Sequence, residues 1–146
     1  MYDSQAGAEI ALRENILIAT IEHINLTVRV PEVTAALMAE LFGWQVRWQG
    51  PARDGGRTIH IGTPAQYLAL YTGRDAVYAD ADFAKGRPLN HVGVEVEDLD
   101  AVERRVVAAG LTPFNHDDYA HGRRFYFFDP DGIEFEIVSY APVATA

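Results

Sequence analysis

The chain has 146 residues, 49% of them hydrophobic and 23% charged, the balance of one soluble domain or of two half-domains sharing a core. Its net charge of −9 disfavours nucleic acid or an anionic membrane surface as the main partner. It has no cysteine, which excludes disulfides, thiol nucleophiles and cysteine-bound zinc.

Residues 1–18 read as an N-terminal arm, either a short helix at "AGAEIALREN" or a loose arm on a partner subunit. A basic start followed by an apolar block is lacking, and no run approaches the ~18 apolar residues of a membrane span, so a cytoplasmic protein is expected. A first module spans 19–73. It opens with "IEHINLTVRV", which alternates with period two. Ile24, Leu26, Val28 and Val30 point one way, and His23, Asn25, Thr27 and Arg29 the other. The following "PEVTAALMAELFGW" reads as a helix, with Pro31 at its first position and Gly43 as its stop. Short strands are expected at "WQVRW", "RTIHIG" and "YLALYT". Residues 74–88 form a linker with one helical turn.

The second module, 89–140, repeats this plan. "LNHVGVEVED" alternates with Val92, Val94 and Val96 on one face and His91, Gly93, Glu95 and Glu97 on the other. His91 thus occupies the place of His23. A helix is expected over "DLDAVERRVVAAGL", capped by Asp98 and stopped by Gly110. Strands at "TPFNH", "RRFYFF" and "IEFEIV" follow, and "NHDDYAHGRR" reads as a polar loop carrying His116 and His121. Residues 141–146 form a frayed tail. The fold class is α+β, with two tandem β-α-β-β-β modules forming an open, cleft-lining mixed β-sheet.

Glu136 lies in an apolar strand, where burial of a carboxylate is costly without a cation. Phe135 and Ile137 take the apolar face, so Glu136 shares the cleft side with Glu134. An approximate two-fold axis between the modules makes His23 and His91 neighbours. With Glu136 they compose a two-histidine, one-carboxylate metal site with open positions. Tyr67 and Tyr71 flank Ala69 on the cleft side, and Arg123 or Arg124 can meet a substrate anion. Glu134 reads as a rim residue and His60 as a strand-face residue. His116 and His121 belong to a solvated loop or to a lid carrying an acid–base histidine.

"IEHINLTV", "LNHVGVEVEDLD" and "FYFFDPDGIEFEIV" resemble the vicinal oxygen chelate superfamily, which includes glyoxalase I, extradiol dioxygenases and the bleomycin- and fosfomycin-resistance proteins. The resemblance covers about Ala19 to Tyr140. It implies paired β-α-β-β-β modules, a homodimer, a small-molecule substrate and metal ligands at His23, His91 and Glu136. Fe2+ is favoured; Mn2+, Zn2+, Ni2+ or Co2+ suit the same set. The family's fourth ligand position falls on Ala69 (Leu68 after a one-residue slip), and neither binds metal. That departs from glyoxalase chemistry. Asn25 stands where the fosfomycin type has a substrate-contacting Thr. Tyr126 stands ten residues before Glu136, as in extradiol enzymes. Those enzymes also carry a His shortly before that Tyr, and His116 and His121 are near that place.

The implied function is metal-dependent chemistry on a small vicinal-oxygen substrate, extradiol-dioxygenase-like in the first instance. A glyoxalase-like lyase or isomerase, with Glu95 or Glu134 as base, is one alternative. A metal-free, resistance-type binding protein is the other.

Overall fold

The computed structural model describes residues 18–141. The arm over 1–17 and the tail over 142–146 lie outside the described residues. The order is β1 (His23–Thr27), α1 (Pro31–Phe42), β2 (Gln45–Pro51), β3 (Arg57–Gly62), β4 (Tyr67–Thr72), β5 (Val92–Glu95), α2 (Leu99–Ala108), β6 (Phe114–Tyr119), β7 (Gly122–Phe128) and β8 (Glu134–Tyr140). A short 3-10 turn at Asp80–Asp82 interrupts the connection between modules. Among the described residues, no helix is long and apolar enough to cross a membrane.

The local signals act as chemistry requires. Pro31 opens α1, and Gly43 closes it at φ 70°, a left-handed conformation that favours glycine. Asp98 caps α2 by accepting the Ala101 N–H at 3.0 Å. The strands form two four-stranded mixed sheets, β1-β4-β3-β2 and β5-β8-β7-β6. In each, the outer pair β1–β4 or β5–β8 is parallel and the rest is antiparallel. The expected polar loop around His116 and His121 is instead the β6–β7 hairpin, with His116 in β6 and His121 at the turn.

Both modules contribute to one core. Met38, Leu41, Ile61, Leu70, Val106, Phe125, Phe127, Phe135 and Ile137 are all buried within it. Phe42 on α1 reaches across to Phe135 on β8, ring centroids 6.2 Å apart. Arg105 on α2 donates to the Leu41 carbonyl at 3.5 Å. The helices are therefore the seam between modules, and the opposite faces of both sheets are left to line the cleft.

A second seam lies at the "DPDG" turn. Asp131 is buried and accepts Arg29 Nη1 at 3.1 Å, while Arg29 also reaches Asp80 at 3.2 Å and lies over the Phe83 ring. Within the turn, one Asp129 carboxylate oxygen accepts the N–H groups of Asp131 and Ile133, both at 2.9 Å. The other oxygen is buried without a partner. Burial pushes the Asp129 carboxyl up to about 6; the backbone N–H groups pull it down, and the charge of Asp131 adds to the rise. A raised folded-state value means that protonation stabilises the fold. That contribution is complete below the ordinary value of about 3.9 and is lost as pH rises through about 6. Asp129→Asn keeps an acceptor for both N–H groups and is expected to remove this loss. Urea unfolding at pH 4 and pH 7.5 should show the wild-type chain losing up to roughly 3 kcal/mol more than the variant over that interval. Equal losses would overturn the reading.

Candidate metal centre

The turn sets the register of β8. Phe135 and Ile137 enter the core, so Glu134 and Glu136 face the cleft. Only 14% of the Glu136 side chain is exposed. Its Oε2 lies 2.9 Å from His91 Nε2, and its Oε1 accepts Arg124 Nη1 at 2.9 Å. His91 Nδ1 lies 2.6 Å from Asn90 Oδ1 and 3.6 Å from Glu134 Oε2. Tyr126 pairs with Glu136 across β7–β8, and its ring stands edge-on to His91 at 5.8 Å. His91, Tyr126, Glu136 and Arg124 thus form one cluster, drawn together by β8 and the two strands beside it.

His23 belongs to a different cluster. Its Nδ1 lies 2.9 Å from Glu22 Oε1, and its ring stacks on Tyr67 at 4.9 Å. Tyr67 stacks in turn on His60 (4.6 Å), which meets Trp48 (5.2 Å). Arg47 lies 4.3 Å above Tyr67. The Tyr67 hydroxyl donates to Glu22 at 3.1 Å, and His23 and this hydroxyl together hold the Glu22 carboxyl below its usual value. Burial, then the nearby charges of His23 and Arg47, push His60 down and favour its neutral ring. The result is an aromatic ladder across the cleft face of the first sheet.

A groove of about 420 Å³ separates the facing edges β1 and β5. His23 and Ile24 line it opposite Gly93, Val94 and Glu95. Asn25 and Thr27, further along β1, share a second groove with Glu134. The facing strands therefore run in opposite senses, which puts His23 and His91 at opposite ends. Among the described residues, no three His, Asp or Glu side chains are placed to hold a metal ion together. One chain presents two of the three expected donors at one place, and the third at another.

The remaining candidates divide between faces. Asn25 pairs with Ala69 as Gly93 pairs with Glu136, so the register makes Ala69, rather than Leu68, the counterpart of Glu136. Ala69 is 2% exposed, and His60 flanks it on β3. Tyr71 lies on the same face against Thr58. Glu95 is exposed and lines the groove beside His23. It also lines a larger cavity of about 740 Å³ at the hairpin end. His116 turns away from the cleft: it contacts Glu103 on α2 and stacks near the buried Phe125. The reason is a bulge. Phe114 pairs with Tyr126 and Asp117 with Arg124, and Asn115 between them has φ 50°. Simple alternation would have kept His116 beside Phe114 on the cleft face. His121 lies in the hairpin turn, where its carbonyl accepts the Ala141 N–H.

Sequence reasoning missed Glu22, Arg47 and Trp48. Alternation within "WQVRW" puts Trp44, Val46 and Trp48 on one face. A bulge between Val46 and Trp48 pairs Val46 with Ile61 but Trp48 with His60, which turns Trp48 into the cleft. Nothing in the local sequence signals that bulge.

The family model described as the Glyoxalase/Bleomycin resistance protein/Dioxygenase superfamily matches residues 20–137. The chain belongs to this superfamily. No curated protein matches it closely enough to be named beside it. Among solved structures, a glyoxylase/bleomycin resistance protein/dioxygenase domain from Frankia sp. EAN1pec is 22% identical with TM-score 0.70, over 86% of this chain and 100% of that one. The fosfomycin resistance protein FosX from Listeria monocytogenes, solved with Mn(II) and sulfate, is 19% identical with TM-score 0.65, over 86% and 96%. TioX from Micromonospora sp. ML1 is 20% identical with TM-score 0.62, over 84% and 100%. These likenesses show that the superfamily fold extends over the described modules.

Proposed function

We propose that this superfamily member is a divalent-metal-dependent enzyme acting on a small vicinal-oxygen substrate, and that two copies complete its centre. His91 and Glu136 of one copy take the metal together with His23 of a second. The carrying observation is the His91–Glu136 pair, a largely buried carboxylate 2.9 Å from an imidazole on the cleft face. His23 is exposed on a separate part of that face, so a second copy can reach it. The superfamily match and the Mn(II) in FosX support a metal in such a site. A bound divalent ion would act as Lewis acid toward two adjacent substrate oxygens.

The chain's own residues supply the rest. Tyr126 places a hydroxyl-bearing ring beside His91. The Trp48–His60–Tyr67 ladder offers an aromatic wall to the substrate. Ala69 offers no donor at the fourth ligand position, which favours extradiol-dioxygenase-like chemistry over glyoxalase-like isomerisation. Fe2+ is the metal favoured for that chemistry.

Two measurements test this. Metal analysis of purified Glu136→Gln, folded by circular dichroism, is expected to show at least a tenfold weaker metal affinity than wild type, as the loss of about 1.4 kcal/mol or more of ligand binding. Oxygen uptake with catechols is expected, and methylglyoxal–thiol turnover is not. Wild-type protein with neither metal nor turnover, but with ligand affinity, would instead identify a resistance-type binding protein.

A further inference from the structure

Glu136 already has a cationic partner on its own sheet. Arg124 Nη1 donates to Oε1 at 2.9 Å, and the two side chains are only 28% and 14% exposed. A carboxylate this buried is costly unless paired. The pairing is nevertheless a weak form of the arginine–carboxylate contact. It uses one N–H, because His91 takes the second oxygen, whereas the strong form is two parallel hydrogen bonds. Arg124 Nε is buried without a partner. The guanidinium has other company besides Glu136. Its carbon lies 4.7 Å above the Tyr119 ring, and Asp117 faces Arg124 across β6–β7.

We infer that Arg124 is a displaceable counter-ion: it holds the Glu136 side chain aimed into the cleft, and it competes with the metal for that carboxylate. This rests on Glu136 being a metal ligand, as proposed above. The competition has a direction. A metal that takes Glu136 must break the Arg124 contact, so the contact weakens the observed affinity. It also keeps the cleft ordered when metal is scarce. The guanidinium is then free to fall back on Tyr119 and Asp117.

The test is calorimetric titration of Mn(II) into the full-length protein. Arg124→Gln is expected to bind Mn(II) about tenfold more tightly than wild type, a change of about 1.4 kcal/mol. Arg124→Lys keeps the charge and is expected to stay near wild type. Thermal unfolding gives a second readout: without metal Arg124→Gln should melt below wild type, and it should gain more than wild type on adding Mn(II). If Arg124→Gln does not fold, Arg124→Met keeps the apolar stem and carries the same expectations. Unchanged or weaker Mn(II) binding in Arg124→Gln or its stand-in Arg124→Met, with affinity weakened at least tenfold by Glu136→Gln, would overturn the counter-ion role alone. An Mn(II) affinity left unchanged by Glu136→Gln, or no Mn(II) binding by wild type, would overturn both this role and the proposed centre.

Discussion

Co-expression of His23→Gln and Glu136→Gln chains is expected to restore one metal site per mixed dimer, although neither variant alone should hold metal tightly. The expectation follows from where the three proposed donors lie. His91 and Glu136 are in contact, while His23 stacks on Tyr67 and faces Gly93–Glu95 across a groove. In a mixed dimer one centre combines the intact His23 of the Glu136→Gln chain with the intact His91 and Glu136 of the other. The second centre carries both lesions. A three-donor site reduced to two loses a large part of its affinity, so the restored stoichiometry is read against a low background. Metal analysis of the purified mixed dimer gives the count, and sedimentation of wild type should show a dimer. Failure of the mixed dimer to regain metal, with both parents dimeric and folded, would place all three donors in one chain.

Phe135→Ala is expected to destabilise the protein by about 3–5 kcal/mol, a large share of the ~5–15 kcal/mol that holds a typical domain. Phe135 is 1% exposed. Its ring stacks on Phe127 at 5.3 Å within its own module and meets Phe42 of the other module at 6.2 Å. The cavity would therefore open at the seam, where neither module alone can collapse to fill it. The functional consequence follows from chain position: Phe135 is the core-side neighbour of Glu136, and its burial fixes which face Glu136 takes. Phe135→Leu, which leaves less empty volume, should lose less stability and keep Glu136 in register. Urea unfolding measures both variants. A cost below about 1 kcal/mol for Phe135→Ala would mean that the modules do not depend on a shared core.

The repeat was legible because its signals are local. Period-two alternation in "IEHINLTVRV" and "LNHVGVEVED", Pro31 and Gly43 around α1, and the Asp98 cap on α2 each act within a few residues. The same logic found Glu136 and its cleft-facing side, because Phe135 and Ile137 can only go inward. Alternation failed at Trp48 and His116 because each follows a bulge, and a bulge exchanges the two faces of a strand.

By itself the sequence determined two β-α-β-β-β units and a carboxylate facing a cleft, since hydrophobic period and turn chemistry are properties of neighbours along the chain. Only the tertiary structure decided what Glu136 meets. Strand register brought Arg124 and His91 to it. The opposite senses of the facing β1 and β5 edges kept His23 at the other end. Both depend on how strands pair and modules pack, which no short stretch of residues encodes.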